Sequence, residues 1–481
     1  MINRSRIKMD LWIRSKELNL AIKLGTILAL LVLAGFTLPH LVEFLQVQFW
    51  RHDSVYYVSS YGGKVKSEGR WLNYFAFHGL KHVPAWLSIL ISYGAVGCFS
   101  FHCSYRLNRD KWFSLLLALA VVNIPFFRMQ LEWPTTLLPA FVLLGFAPWL
   151  SRRVPDYCFF AFYGVLLLGS FSSLYFLLPL LYMQNITVGA LARTLMLWVL
   201  GFVLGYAVSQ TLVWVALGHF IEVASWRQPH PVDSLSALLA NLVRAWGYMR
   251  NHFLIMLSCV SVPLFTIACA WSWLGGRPWQ RVILWVAAMF IFMAPYATTV
   301  PYGIVVSGRT AFISMLALLL VLFMHERINN LYRGVAVILL LSIGISMAQL
   351  TGAYTAWYKG LTDAMLARVK QSMPLPPSSV DTVYIRIDDT QWRSFTDGIN
   401  ESEALKSPDI SSEGFDSQDY RRSLIIALGY ERVVDCGVSP LKVCQEPLLP
   451  DERGIALDRE VHAQVVMGNN ILLTMPLSAS K

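Results

Sequence analysis

Long apolar runs alternate with short polar stretches along this chain, on the length scale of a lipid bilayer. A spanning helix takes about 20 apolar residues, and the first such run, LGTILALLVLAGFTLPHLVEFL, occupies 24–45. Arg4, Arg6, Lys8, Arg14, Lys16 and Lys23 precede it and no small-residue cleavage site follows. It is therefore expected to persist as a span, with the N-terminal side in the cytoplasm. The short basic loops RLNRDK (106–111), SRRVPD (151–156), GGRPWQR (275–281) and HERINNLYR (325–333) fall on the same side by the same rule. FRMQLEWP (127–134), GHFIEVASWRQPHPVD (218–233) and PYATTVPYG (295–303) then fall outside, with a first outer loop at 46–84. These assignments require residues 157–217 to cross an odd number of times. Three crossings, with short helices at 157–170 and 173–183, give eleven segments, N-terminus in and C-terminus out; one long crossing gives nine. Trp50, Tyr56, Tyr57, Trp71, Tyr74 and Trp86 sit at the ends of spans, as an aromatic belt does.

Composition agrees with the pattern: 56% of residues are hydrophobic and mean hydropathy is +0.51, values of a membrane protein. The regime changes near the hinge MPLPPSS (373–379). From Gln371 onward there are 17 acidic and 10 basic residues, a net of −7, against +17 for residues 1–370. TVYIRIDD then alternates like a strand and YRRSLIIALGY has helical spacing. The expected architecture is an all-α polytopic membrane domain over 1–370, followed by a small α+β domain over 371–481 on the outer face. Cys436 and Cys444 lie in that domain, and in an oxidising compartment this pair is a disulfide candidate. The positive charge is spread over cytoplasmic loops, so nucleic acid is not an expected partner.

The candidate chemistry sits in the first outer loop, RHDSVYYVSSYGGKVKSEGRWL (51–72). His52 and Asp53 open it, and Lys64, Lys66, Arg70 and Lys81 follow. Charge beside a bilayer is costly, so such a cluster is a site hypothesis, with a solvated interfacial loop as the alternative. His52-Asp53 stands where an acidic pair would open the loop in the bacterial O-antigen glucosyltransferases. These are serotype-converting polytopic enzymes of the GT-C class, and the chain resembles them. Gly69-Arg70-Trp71-Leu72 stands where that family has a Gly-Arg-Pro-Leu-like element, and Glu132 occupies the place of an acid in its second outer loop. His52 replaces the first acid and Trp71 replaces the proline.

The resemblance implies a bacterial inner-membrane enzyme active on the periplasmic face. It would move a hexose, glucose in that family, from a polyprenyl-phosphate donor to a lipid-linked O-antigen or related glycan. Its implied partners are membrane lipids, a donor synthase and a donor flippase. The attacking hydroxyl must lose a proton, which a carboxylate within hydrogen-bond reach accepts; Asp53 and Glu132 are the catalytic candidates, with His52 auxiliary. The leaving phosphate gathers negative charge, which favours arginine or lysine; Arg70, Lys64, Arg128 and Arg309 are the candidates. Structural alternatives are an N-cap role for Asp53, interfacial snorkelling for Arg70 and a Glu132–Arg128 pair.

The sequence calls for no cofactor and is silent on a metal requirement. His219, Glu222 and His230 lack zinc-site spacing, a turn explains Asp388-Asp389 as well as a metal pair does, and nucleotide-loop and nucleophile-elbow motifs are absent. A flippase or transporter is the competing class, expected to show repeats and broken helices; a surface-polysaccharide polymerase or ligase is another. The absence of a repeat and the concentration of charge in outer loops favour transfer.

Overall fold

The computed structural model describes residues 2–48, 50, 53, 61–183, 187–223, 227–274, 278–324, 330–387, 418–436, 441–445, 462–466 and 469–475. His52 and Asp388-Asp389 lie outside them. The described chain is mostly helical, and a four-stranded sheet is confined to the C-terminal region. Five helices among the described residues are long and apolar enough to cross a membrane: Glu17–Leu45, Ala85–Asn108, Val188–Leu217, Pro278–Ala297 and Tyr332–Gly360. Leu235–Val260 and Val262–Leu274 make a sixth if counted as one span, although they meet at 96°. Ser261 sits at this break with a φ of 62°, and Pro263 lies in the first turn of the second half. Proline tolerates that position because its missing N–H would have no partner there.

Two compact units divide the chain. The first comprises Met1–Leu41, Gly62–Leu131 and Thr135–Gly352. Three of its helices begin where a side chain satisfies a free N–H group of the first turn. Asp110 accepts from Trp112 N at 3.0 Å, Thr187 from Ala190 N at 3.2 Å and Ser234 from Ala237 N at 3.2 Å. Between the long helices lie short ones, Lys111–Val121, Leu138–Leu150 and Asp156–Leu168, and a 3-10 segment, Ser172–Tyr182. Eleven helical residues rise only about 17 Å, well short of a roughly 30 Å hydrocarbon core. Much of Lys111–Val121 is covered by protein: Phe113, Leu116, Leu117, Ala120 and Val121 are all buried. Asp156–Leu168 packs on Val188–Leu217 at glycines, because a Cβ on Gly164 would collide with the Gly201 carbonyl. Small residues allow such close backbone approach inside a membrane.

Within FRMQLEWP, Pro125–Gln130 is a short helix whose six residues are all buried, and Leu131 and Glu132 are fully buried too.

The basic segments tie together through polar contacts. Arg106 donates to Leu181 O at 2.6 Å, Pro148 O at 2.7 Å and Ser151 Oγ at 2.8 Å, and Arg333 pairs with Asp110 at 2.9 Å. A separate set of bonds joins three of the expected outer segments. Glu222 N donates to Lys66 O at 3.1 Å, His230 N to Tyr302 O at 2.6 Å, Val232 N to Pro301 O at 3.0 Å and Val305 N to Arg227 O at 3.0 Å.

The second unit comprises Val42–Tyr61, Glu132–Pro134 and Ala353–Lys481. Its sheet runs β2-β1-β4-β3, with β1 Val383–Ile387, β2 Val433–Asp435, β3 His462–Val466 and β4 Asn470–Met475. β1 pairs in parallel with β2 and β4, and β3 pairs antiparallel with β4. Val383, Ile385, Ile471 and Leu473 alternate inward and pack with Leu424 and Ile425 of the helix Gln418–Ala427. Leu366 and Val369, from the last turns of the helix Asn330–Ser372, complete this core. The apolar core therefore reaches back across the Pro-rich hinge expected to begin the domain. Arg421 and Asp435 form a buried ion pair at 3.0 Å, and Cys436 and Cys444 are disulfide-bonded with Cα atoms 5.6 Å apart.

Candidate functional site

Two cationic residues of the first loop, Lys64 and Arg70, converge on one carboxylate, whereas Lys66 pairs with Glu222. Gly62–Glu68 forms a short helix, on which Lys64 and Glu68 are one turn apart and paired at 2.7 Å. The helix ends at Gly69, whose φ of +65° is left-handed and suits glycine. The sharp exit presents Arg70 to Glu68 at 2.5 Å. A third cation, Arg227, arrives from the 218–233 segment and meets Glu68 at 3.2 Å. The next helix, Trp71–Leu80, starts against Gly169: Leu72 N donates to Gly169 O at 2.8 Å. A Cβ on Gly169 would collide with the Trp71 indole. Gly69-Arg70-Trp71-Leu72 thus turns the chain, places a guanidinium and anchors a helix in four residues.

Glu68, Arg70, Arg227 and Arg309 line a cavity of about 250 Å³ in the first unit. Arg309 lies in the 3-10 turn Gly308–Thr310 that opens the helix Ala311–Phe323. Arg70 also stands over the Phe171 ring, 5.3 Å from its centroid. Hydroxyl groups of Ser172, Thr298, Thr299 and Ser307 belong to residues of the same wall, and Tyr206 and Tyr302 complete it. Burial pushes the Glu68 carboxyl up, but Arg70, Lys64 and Arg227 more than offset this and hold it well below the usual carboxylate range. Burial, only partly offset by Glu68, brings the Lys64 ammonium below the usual lysine value, and Arg70 adds to the lowering. Arg70, Arg227 and Lys64 meet the one carboxylate and Arg309 lines the same cavity, so positive charge exceeds negative around a concave space. Such an arrangement suits a phosphate or another compact anion.

The structure brings together some of the expected residues and not others. Arg70 and Arg309 share the cavity, and Lys64 reaches it through Glu68. Arg128 is instead fully buried, donating to His40 Nδ1 at 2.9 Å, with its guanidinium 5.5 Å from the Tyr93 ring centroid. Asp53 and Glu132 belong to the second unit; both are buried, and Glu132 accepts a hydrogen bond from the Tyr354 hydroxyl. Among the described residues no group of three or more His, Cys, Asp or Glu side chains is placed to hold a metal ion. His219 and Glu222 are 3.6 Å apart, with Lys66 on Glu222 at 2.9 Å, which makes a salt-bridged surface.

The sequence reading missed Glu68 and Arg227, and Tyr206 and Tyr302 with them. Glu68 stands two positions before Arg70 and one turn after Lys64, a spacing that signalled the pair. Arg227 carried no local signal, since only the folding back of 218–233 delivers it. Comparison of the chain with known protein families, characterised proteins and solved structures finds no match.

Proposed function

We propose that this chain is an integral-membrane glycosyltransferase of the GT-C kind. It would take a hexose from a polyprenyl-phosphate donor and pass it to a lipid-linked O-antigen or related surface glycan. The observation that carries this reading is the cavity lined by Arg70, Arg227 and Arg309 together with the single carboxylate of Glu68, at the junction of three polar segments. A lipid-phosphate leaving group needs concentrated positive charge that is in place before the bond breaks. The proposed topology has eleven membrane segments, the N-terminus in the cytoplasm and the cavity on the periplasmic face of a bacterial inner membrane.

Glu68 is a poor candidate for the base, because three cations hold it ionised and weakly basic. Its role in this reading is that of a counter-ion. Asp53 takes the role of base on the strength of its place at the opening of the first loop, with Glu132 second. Arg70→Lys keeps the charge and loses the planar fork. It should raise KM for the lipid donor several-fold while leaving KM for the acceptor unchanged. A rise confined to the acceptor would remove the donor-phosphate assignment.

The 96° break at Ser261 favours a second reading, since broken helices are a feature of transporters. Transfer of labelled sugar in detergent, where no gradient exists, separates the two: a transporter has no activity there.

A further inference from the structure

The cavity is lined by two kinds of group. Arg70, Arg227 and Arg309 make one part of its wall, and Tyr206 with Tyr302 make another. The two tyrosine hydroxyls are 3.1 Å apart, and Gln210 Nε2 donates to the Tyr206 hydroxyl at 2.7 Å. Gln210 Oε1 accepts from Ile221 N at 3.0 Å, which fixes the amide orientation and links the tyrosines to the segment that brings in Arg227. Tyr302 is held from behind as well, its carbonyl accepting from His230 N at 2.6 Å. Both rings are more than a third exposed, 39% and 38%. They are therefore oriented by hydrogen bonds, only partly covered, and line the cavity.

We propose that Tyr206 and Tyr302 form the sugar-reading wall of this cavity, packing ring faces on a hexose and hydrogen-bonding its hydroxyls while the arginines hold the attached phosphate. The assignment rests on the transferase reading for its substrate class. Its geometry is independent of the catalytic carboxylate. Size supports a single sugar: about 250 Å³ falls below the roughly 300–1,000 Å³ of pockets for drug-sized ligands. A one-sugar phosphate head is of the right scale, whereas an oligosaccharide is not. Aromatic rings with a polar tip offer an apolar face and a hydrogen bond together, which matches the alternating C–H and O–H faces of a pyranose.

The test uses the full-length protein in a sugar-free detergent, with radiolabelled glucose 1-phosphate and inorganic phosphate in equilibrium dialysis. Wild type should bind glucose 1-phosphate at least about tenfold more tightly than phosphate, an increment of about 1.4 kcal/mol. Tyr206→Ala and Tyr302→Ala should each remove most of that increment and leave phosphate affinity within about twofold. Arg227→Gln should weaken both ligands together. Equal wild-type affinities would overturn the proposal, as would parallel loss of both ligands in the tyrosine variants. Unchanged binding in Arg227→Gln would place the ligands elsewhere and overturn it too. The two readings fail separately. A tyrosine-dependent increment without sugar transfer from a lipid donor sinks only the transferase. Transfer with an unchanged donor KM in both tyrosine variants sinks only the wall.

Discussion

Removing the carboxylate of Glu68 strips the counter-ion from three cations at once. Arg70, Lys64 and Arg227 lie 2.5, 2.7 and 3.2 Å from it, and its side chain is 7% exposed. At an effective dielectric constant of about 20, one such pair at about 4 Å is worth about 4 kcal/mol before desolvation. Desolvation cancels much of this, but loss of one partner from a buried pair still costs about 3–5 kcal/mol, because the remaining charge is left uncompensated. Arg70, Lys64 and Arg227 are partly solvated, at 15%, 21% and 22% exposure, which puts Glu68→Gln near the lower end, about 3 kcal/mol. The variant in phosphate-free buffer should therefore unfold several degrees below wild type in a thermal scan. Orthophosphate should restore it, since a ligand at 100 times its Kd contributes about 2.7 kcal/mol. The pH dependence has a definite sign. The Glu68 carboxyl is held below its ordinary 4.5, so its contribution is fully present above about pH 4.5. It is lost as the pH falls through the folded-state value. The variant should lack that part of the acid-side loss. A Glu68→Gln protein as stable as wild type without phosphate, or one that phosphate stabilises no more than wild type, would refute the counter-ion argument.

Gly69→Ala must adopt a φ of +65° and bring a Cβ within 2.5 Å of Ile221 Cδ1. The left-handed backbone alone costs about 1–2 kcal/mol, so a lowered Tm with weakened phosphate binding is expected; an unperturbed variant would show that the turn does not need glycine. Cys436 and Cys444 should resist thiol labelling in the denatured, unreduced protein, and reduction should cost the C-terminal sheet about 2–3 kcal/mol, read as faster proteolysis of that region. Labelling of both without reductant would contradict the bridge. A periplasm-active reporter fused after Lys481 should be active and a cytoplasm-only reporter silent; the reverse would overturn the proposed orientation.

Much of the fold was legible because hydropathy and capping act locally. The run at 24–45, the Pro-rich hinge and the alternating TVYIR each carry their element in their own residues. The burial of Pro125–Gln130 was not legible, because its polar residues imitate a surface loop and their partners are distant, such as His40, 88 positions from Arg128. The bend at Ser261 had a local sign in Pro263, but proline in a first turn is equally compatible with a straight start. The candidate site divides in the same way. Arg70 was readable from its place in Gly69-Arg70-Trp71-Leu72 and Lys64 from the charge cluster of the first loop, whereas Glu68 was passed over although it stands one turn from Lys64. Arg227 and the Tyr206–Tyr302 pair exist as a site only through contacts that span 96 to 159 positions.

The central claim is that this chain transfers a sugar from a lipid phosphate. Its most direct measurement is the incorporation of labelled glucose from polyprenyl-phosphate glucose into lipid-linked glycan by the purified protein in detergent. Wild type should transfer the sugar, and Asp53→Asn, which keeps the shape of the side chain and removes the base, should lose at least about 100-fold. Absence of transfer by wild type with the donor saturating, or near-normal transfer by Asp53→Asn, would contradict it.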